Sequence, residues 1–145
     1  MPLGLLLLLF AAVQAPPATP CNVTRPGQGD QWFGNAALRV GLWSDGRVVF
    51  RPRGPGLVLK DGSLSMKFPW ERQVQGRLTI DGRRLDAPAR PLQANIPDGY
   101  GDSGFQATAL IFPTPGCWEV TGHVGQASLI FTTEVVKIGD GPGPR

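Results

Sequence analysis

The sequence predicts an all-β chain folded as an antiparallel two-sheet sandwich. Short apolar runs alternate residue by residue with polar ones. Turn signals recur at short intervals, and no window places apolar side chains at helical spacing. Gly (20) and Pro (15) are frequent enough to approach a low-complexity composition, yet 41% of the 145 residues are hydrophobic. Many short strands joined by Gly/Pro-rich turns around one core reconcile the two facts.

The chain opens on an apolar run from Leu3 to Val13, too short to span a hydrocarbon core, which takes about 20 residues. With the Ala12-Val13-Gln14-Ala15 end it reads as a secretory signal peptide and short spacer over residues 1–20. No Lys or Arg precedes the run, and Pro16 is an unfavourable residue after a cut at Ala15, so the cleavage site stays open. Pro20 before Cys21 argues against lipid attachment. The expected setting is export to a periplasm or the extracellular space, with no transmembrane helix in the mature chain. Cys21 and Cys117 are the two cysteines, and in an oxidising compartment they have one possible pairing. Closing so long a loop stabilises by up to about 4.7 kcal/mol in the chain-entropy account.

Residues 22–35 read as an irregular lead-in, with Asn22-Val23-Thr24 matching an N-glycosylation acceptor. Ala36 to Leu42 and Val48 to Phe50 alternate on either side of Ser44-Asp45-Gly46 and predict a hairpin. Residues 51–56 (RPRGPG) connect to a strand through Leu64, Met66 and Phe68 that Pro69 is expected to stop. Leu78 and Ile80 begin another strand, with a turn at Asp81-Gly82, and Leu92 to Ile96 make a short one. Phe105–Phe112, Cys117–Val124 and Ala127–Ile138 are the most regular candidates. In the middle one, Trp118, Val120 and Val124 share an inward face, while Cys117, Glu119 and His123 point outward or lie at an edge. The tail 139–145 is expected to fray. Eight or nine such strands in a single domain over residues 21–138 indicate a sandwich of immunoglobulin-like type, with a small closed barrel as the alternative.

The stretch Ile96–Gln106 (IPDGYGDSGFQ) contains Gly101-Asp102-Ser103-Gly104, the letters of a serine-protease nucleophile motif. A serine hydroxyl needs a neighbouring base, and the single histidine, His123, follows Ser103 where that protease order requires it to precede. The stretch is better read as a loop rich in turn-forming residues. Asp98 and Asp102 suggest calcium ligands, but their spacing matches no calcium loop and turn formation accounts for them. One histidine and two paired cysteines make no zinc site. No phosphate-binding glycine loop is present, no cofactor is implied, and no catalytic residue stands out.

Residues 21–90 carry 12 Lys or Arg against 6 Asp or Glu, and residues 91–145 carry 2 against 5. The arginines, Arg39, Arg47, Arg51, Arg53, Arg72, Arg77, Arg83, Arg84 and Arg90, are spaced as a solvated outward face, and export disfavours nucleic acid as a partner. Aromatic residues near connections are the remaining candidates for contact: Phe68 and Trp70, which flank Pro69, together with Tyr100 and Phe105.

Three segments, Met66–Trp70 (MKFPW), Ile96–Gln106 and Pro113–Gly122 (PTPGCWEVTG), together resemble a group of uncharacterised exported bacterial proteins with an immunoglobulin-like β-sandwich. The run Cys117-Trp118-Glu119-Val120 is similar to the closing strands of many bacterial Ig-like modules. The resemblance covers roughly residues 21–138. It implies the fold and an exported bacterial setting, and brings no activity or catalytic residue with it. The expected function is a non-enzymatic binding module whose partner is an envelope or extracellular protein, with Phe68, Trp70, Asp98, Tyr100, Asp102 and Phe105 as candidate contacts. The alternatives are a carbohydrate-binding module stacking sugars on Trp32, Trp70 and Tyr100, and a purely structural domain.

Overall fold

The computed structural model describes residues 1, 9–14 and 20–143. Much of the predicted leader, including the cut after Ala15, lies outside the described residues. The strands are β1 (Trp32–Gly34), β2 (Leu38–Gly41), β3 (Arg47–Phe50), β4 (Leu57–Val58), β5 (Leu64–Arg72), β6 (Thr79–Arg84), β7 (Gln93–Asn95), β8 (Gly104–Phe112), β9 (Gly116–Val124) and β10 (Ala127–Lys137). They form two sheets. The first has the order β1-β2-β5-β8-β7, with β4 also pairing β5; the second has the order β3-β10-β9-β6. Every pairing is antiparallel except β3 with β10, which run parallel. No helix among the described residues is long and apolar enough to cross a membrane.

The period-2 pattern fills the space between the sheets. Leu64, Met66, Phe68 and Trp70 of β5 face Trp118, Val120 and Val124 of β9 and Leu129, Phe131 and Val135 of β10, all buried. Ring contacts bind the layers: Phe68 and Phe131 lie 5.9 Å apart, Trp70 and Phe131 6.0 Å, and Phe112 and Trp118 5.6 Å. Gly122 stands under the Trp70 ring, where a Cβ would come within 2.6 Å of it. The indole N–H of Trp70 donates to the Thr108 hydroxyl at 3.1 Å, and that hydroxyl donates to the Phe68 carbonyl at 2.9 Å, so the buried indole keeps a partner.

Cys21 and Cys117 are joined, with Cα atoms 5.5 Å apart. The bond ties the lead-in to the start of β9. Thr24 extends the attachment to β10: its N–H donates to the Thr132 carbonyl and its hydroxyl accepts from the Thr132 N–H. Cys117 itself is buried rather than outward.

Several expectations are corrected. The turn at Trp43–Gly46 forms, with Gly46 in the left-handed region at φ 69°, but β2 and β3 are not a hairpin. Both sides of β2 are occupied, by β1 and β5, so the chain crosses to the other sheet and β3 pairs β10. Pro69 does not stop β5. The β2 ladder ends at Val40↔Trp70, one residue short of Pro69, so the proline lies beyond the last β2 partner. Asp81-Gly82 is strand rather than turn, because a glycine there lets Leu92 close over β6, within 2.8 Å of where a Cβ would stand. The tail does not fray at once: Gly141 and Pro142 are buried, and Gly141 lies beside Val58.

Candidate binding site at the open sandwich edge

Continuing the inward alternation of β5 past Phe68 and Trp70 brings Arg72 into the sandwich, where it is 3% exposed. Sequence reasoning grouped it with solvated arginines. The period-2 series from Leu64 leads to it, and the expected stop at Pro69 hid that signal. A guanidinium has five N–H donors, and here they meet five backbone carbonyls: Gly104 at 3.4 Å from Nε, Gly76 and Gly101 at 3.1 Å from Nη1, and Tyr100 at 2.9 Å and Ser103 at 3.2 Å from Nη2. Four of the five belong to the loop from Asp98 to Gly104. The buried charge is thus matched by carbonyl dipoles rather than by a carboxylate, and the loop is shaped around it. Gly99, Gly101 and Gly104 supply the positive φ angles that turn those carbonyls inward. Gly76 N–H closes the arrangement by donating to the Asp102 carbonyl at 2.8 Å.

The same loop bounds a cleft of about 580 Å³, lined also by Arg77, Leu78 and Thr79 at the start of β6 and by Ala94 to Pro97 at the end of β7. β6 is the edge of one sheet and β7 the edge of the other. They touch where the Leu92 N–H donates to the Gly82 carbonyl at 3.0 Å, and the cleft opens from there toward the loop. Gln106 braces its base, donating to the Pro97 and Ala107 carbonyls.

The predicted contact residues separate into two groups. Phe68 (1% exposed) and Trp70 (0%) are core, because β5 runs straight through Pro69, and neither ring is open to a partner, contrary to the expectation from sequence. Asp98, Tyr100 and Asp102 line the cleft, and Phe105 stands beside it, 51% exposed, with its ring 5.9 Å from that of Tyr100. Asp98 lies 4.0 Å from Arg77, both side chains almost fully solvated. A platform of Trp32, Trp70 and Tyr100 does not form. Trp70 is buried, and Trp32 is on β1, three strand spacings or ~14 Å across the sheet from β8, where it stacks with Arg39. Among the described residues no three His, Cys, Asp or Glu side chains gather as metal ligands would.

Elsewhere several charges are paired locally. On the outer face of the second sheet, Arg83 meets Glu119 at 3.0 Å, Arg47 meets Glu134 at 3.1 Å and His123 meets Asp81 at 3.3 Å. Arg39 pairs with Glu71 on the first sheet. The carboxyl of Asp86 is held below its ordinary value, first by the Arg84 guanidinium and, against the opposing effect of partial burial, by the Cys117 N–H. That of Asp61 is lowered by the Ser63 hydroxyl and N–H. Neither group lines the cleft.

No family model matches the chain, and no curated protein matches it. Among solved structures it is similar to domains 4 and 5 of the S-layer protein SbsC. The identity is 11% and the TM-score 0.38, covering 62% of this chain and 47% of that one, so the chain spans under half the length of that structure.

Proposed function

We propose that this chain is a non-enzymatic, exported binding module of immunoglobulin-like type that engages a protein partner through the Asp98–Phe105 loop and the cleft beside it. The observation that carries the reading is the match of Arg72 to its loop carbonyls. Burying a guanidinium is costly unless every donor is met. A connection that only joined β7 to β8 has no need of it. A loop fixed in advance loses little freedom on binding, and Tyr100 and Phe105 are held outward on it.

The strand orders β2-β5-β8-β7 and β6-β9-β10 correspond to the A-B-E-D and C-F-G orders of immunoglobulin domains, which supports that finer description. The formed disulfide supports an oxidising compartment, in agreement with the predicted leader. The loss of Trp70 and Trp32 from any common platform leaves sugar stacking on a single aromatic pair, and favours a protein partner.

The test is affinity capture from a native bacterial envelope extract, with the disulfide-intact domain and a Tyr100→Ala/Phe105→Ala variant as parallel baits. A protein retained by the first and lost from the second is expected. Identical retention by both baits would overturn the reading and leave a structural domain.

A further inference from the structure

The two ends of the sandwich differ in charge. At the cleft end, where β5 finishes and β6 begins, Asp98 and Asp102 are exposed beside Arg77. At the other end the parallel strands β3 and β10 finish together, and Gly56 stands between Phe50 of β3 and Met66 of β5. That pole carries Arg51, Arg53, Lys60, Arg84, Arg90 and Lys137 against Asp61, Asp86 and Asp140. Asp86 is engaged by Arg84 at 2.7 Å, and Asp61 lies 3.9 Å from Arg90. Among the described residues, no carboxylate lies within ion-pair reach of Arg51, Arg53, Lys60 or Lys137, and all four are exposed.

The tail gathers these cations. Residues 138–141 turn across the pole, with the Ile138 N–H on the Phe50 carbonyl at 2.8 Å and the Gly141 N–H on the Ile138 carbonyl at 3.0 Å. A Cβ on Gly139 would stand 3.9 Å from Pro52, which separates Arg51 from Arg53. One on Gly141 would stand 3.6 Å from the Lys137 side chain and 3.0 Å from Val58, close to Lys60 in the chain. Arg53 has φ 64° in a turn closed by the Gly54 N–H on the Arg51 carbonyl, a position that ordinarily takes Gly or Asn. Apolar side chains border the group: Leu57 is 47% and Ile138 51% exposed, and Pro52 and Pro55 are exposed on the loop between.

We propose that this basic pole docks on the surface of an anionic lipid bilayer. Unpaired like charges repel one another until an anion meets them, and a lipid surface meets several at once, gaining roughly fivefold in affinity per cation. Leu57, Ile138 and the two prolines favour lipid over a soluble anionic polymer. Apolar groups among cations gain by entering the headgroup layer, and gain nothing on a hydrated polymer. Four cations alone give weak, reversible binding, half-saturated at ~1 mM accessible lipid. Docked in this way, the domain stands on end, ~30 Å tall along β5, and the cleft faces away from the membrane. The docking surface shares no residue with the cleft, so either can fail without the other.

The test is co-sedimentation of the disulfide-intact protein with vesicles of phosphatidylcholine, with and without phosphatidylglycerol. Residues 1–20 are removed so that the apolar run Leu3–Val13 does not itself bind lipid; every strand is retained. Binding is expected only where phosphatidylglycerol is present, and is expected to fall steeply with salt. Arg53→Ala/Lys137→Ala is expected to weaken it roughly 25-fold. Leu57→Ser/Ile138→Ser is expected to weaken it severalfold, and Tyr100→Ala/Phe105→Ala to leave it unchanged. Thermal melts of these exposed-site variants are the control for folding. Equal sedimentation with both vesicle types, none at lipid well above millimolar, or loss in the Tyr100→Ala/Phe105→Ala variant overturns the assignment. Displacement by polyphosphate at a phosphate concentration below that of the lipid, or unaltered affinity in the Leu57→Ser/Ile138→Ser variant, makes a soluble anionic polymer the ligand and overturns the lipid assignment.

Discussion

The Arg72 guanidinium donates to the Tyr100 carbonyl at 2.9 Å from inside the sandwich, while the Tyr100 side chain lines the cleft on the other side of the same backbone. One residue thus connects the end of β5 to the exposed surface of the β7–β8 loop, through main-chain atoms alone. Apart from Gly99, Gly101 and Gly104, whose positive φ angles aim the carbonyls, the loop is free to vary at its side chains as long as those carbonyls reach the fork.

Replacing Arg72 separates shape from charge. Arg72→Lys keeps the charge but not the planar fork, and three donors cannot meet five carbonyls. It is expected to lower stability by about 2–3 kcal/mol, since bonds to a charged donor contribute about 1.5–3 kcal/mol each and some are re-formed. Urea unfolding measures the loss, and faster hydrogen exchange at residues 99–104 locates it.

The aromatic residues are expected to behave as two classes. Phe68→Ala and Trp70→Ala remove buried rings and are expected to cost about 3–5 kcal/mol. Tyr100→Ala and Phe105→Ala, at 36% and 51% exposure, are expected to stay within about 1 kcal/mol of the parent. Thermal melts of the four single variants distinguish the core from the surface.

Thr108→Val leaves the Trp70 indole N–H buried without an acceptor, and is expected to cost about 1–3 kcal/mol by denaturant unfolding. Gly122→Ala drives a methyl into the Trp70 ring, and is expected to cost a comparable amount through overpacking.

The lowered Asp86 carboxyl gives a pH dependence with a definite sign. Its folded pKa lies below its unfolded value, so its contribution is fully present above the ordinary value of 3.8. That contribution is lost as pH falls through the lower folded value. Asp86→Asn is therefore expected to flatten the acid limb of the stability-against-pH curve and to leave its neutral region level. Equilibrium unfolding at a series of pH values tests it.

Reduction, or the Cys21→Ser/Cys117→Ser pair, releases a loop of 96 residues and is expected to cost about 2–5 kcal/mol. The denaturation midpoint followed by tryptophan fluorescence, with and without reductant, reads it.

The alternation of Leu64, Met66 and Phe68 and the three C-terminal runs made the sandwich legible, because inward and outward positions are written locally. Partner choice is not. Ser44-Asp45-Gly46 announces a turn, but nothing in those residues says that β1 and β5 already flank β2. Pro69 and Gly82 looked like interruptions because a strand position beyond a ladder's end, or beneath a neighbour such as Leu92, is defined only by the other strand. The site followed the same rule. Asp98, Tyr100, Asp102 and Phe105 were visible as loop residues, whereas Arg72 and the edges at Ala94 and Leu78 take their meaning from what lies across from them.

The bond between Cys21 and Cys117 also decides how the domain carries a mechanical load. Tension applied before Cys21 and at the C-terminal end passes through the sulfur bridge into β9, and residues 22–116 are shielded behind it. Only residues 118–145 can be drawn out, roughly 100 Å at about 3.5 Å each, against roughly 430 Å once the bridge is reduced. The strand that must yield first is β10, held between β9 and β3 on both flanks. The oxidised domain is a short-travel tether, and the reduced one a spring several times longer.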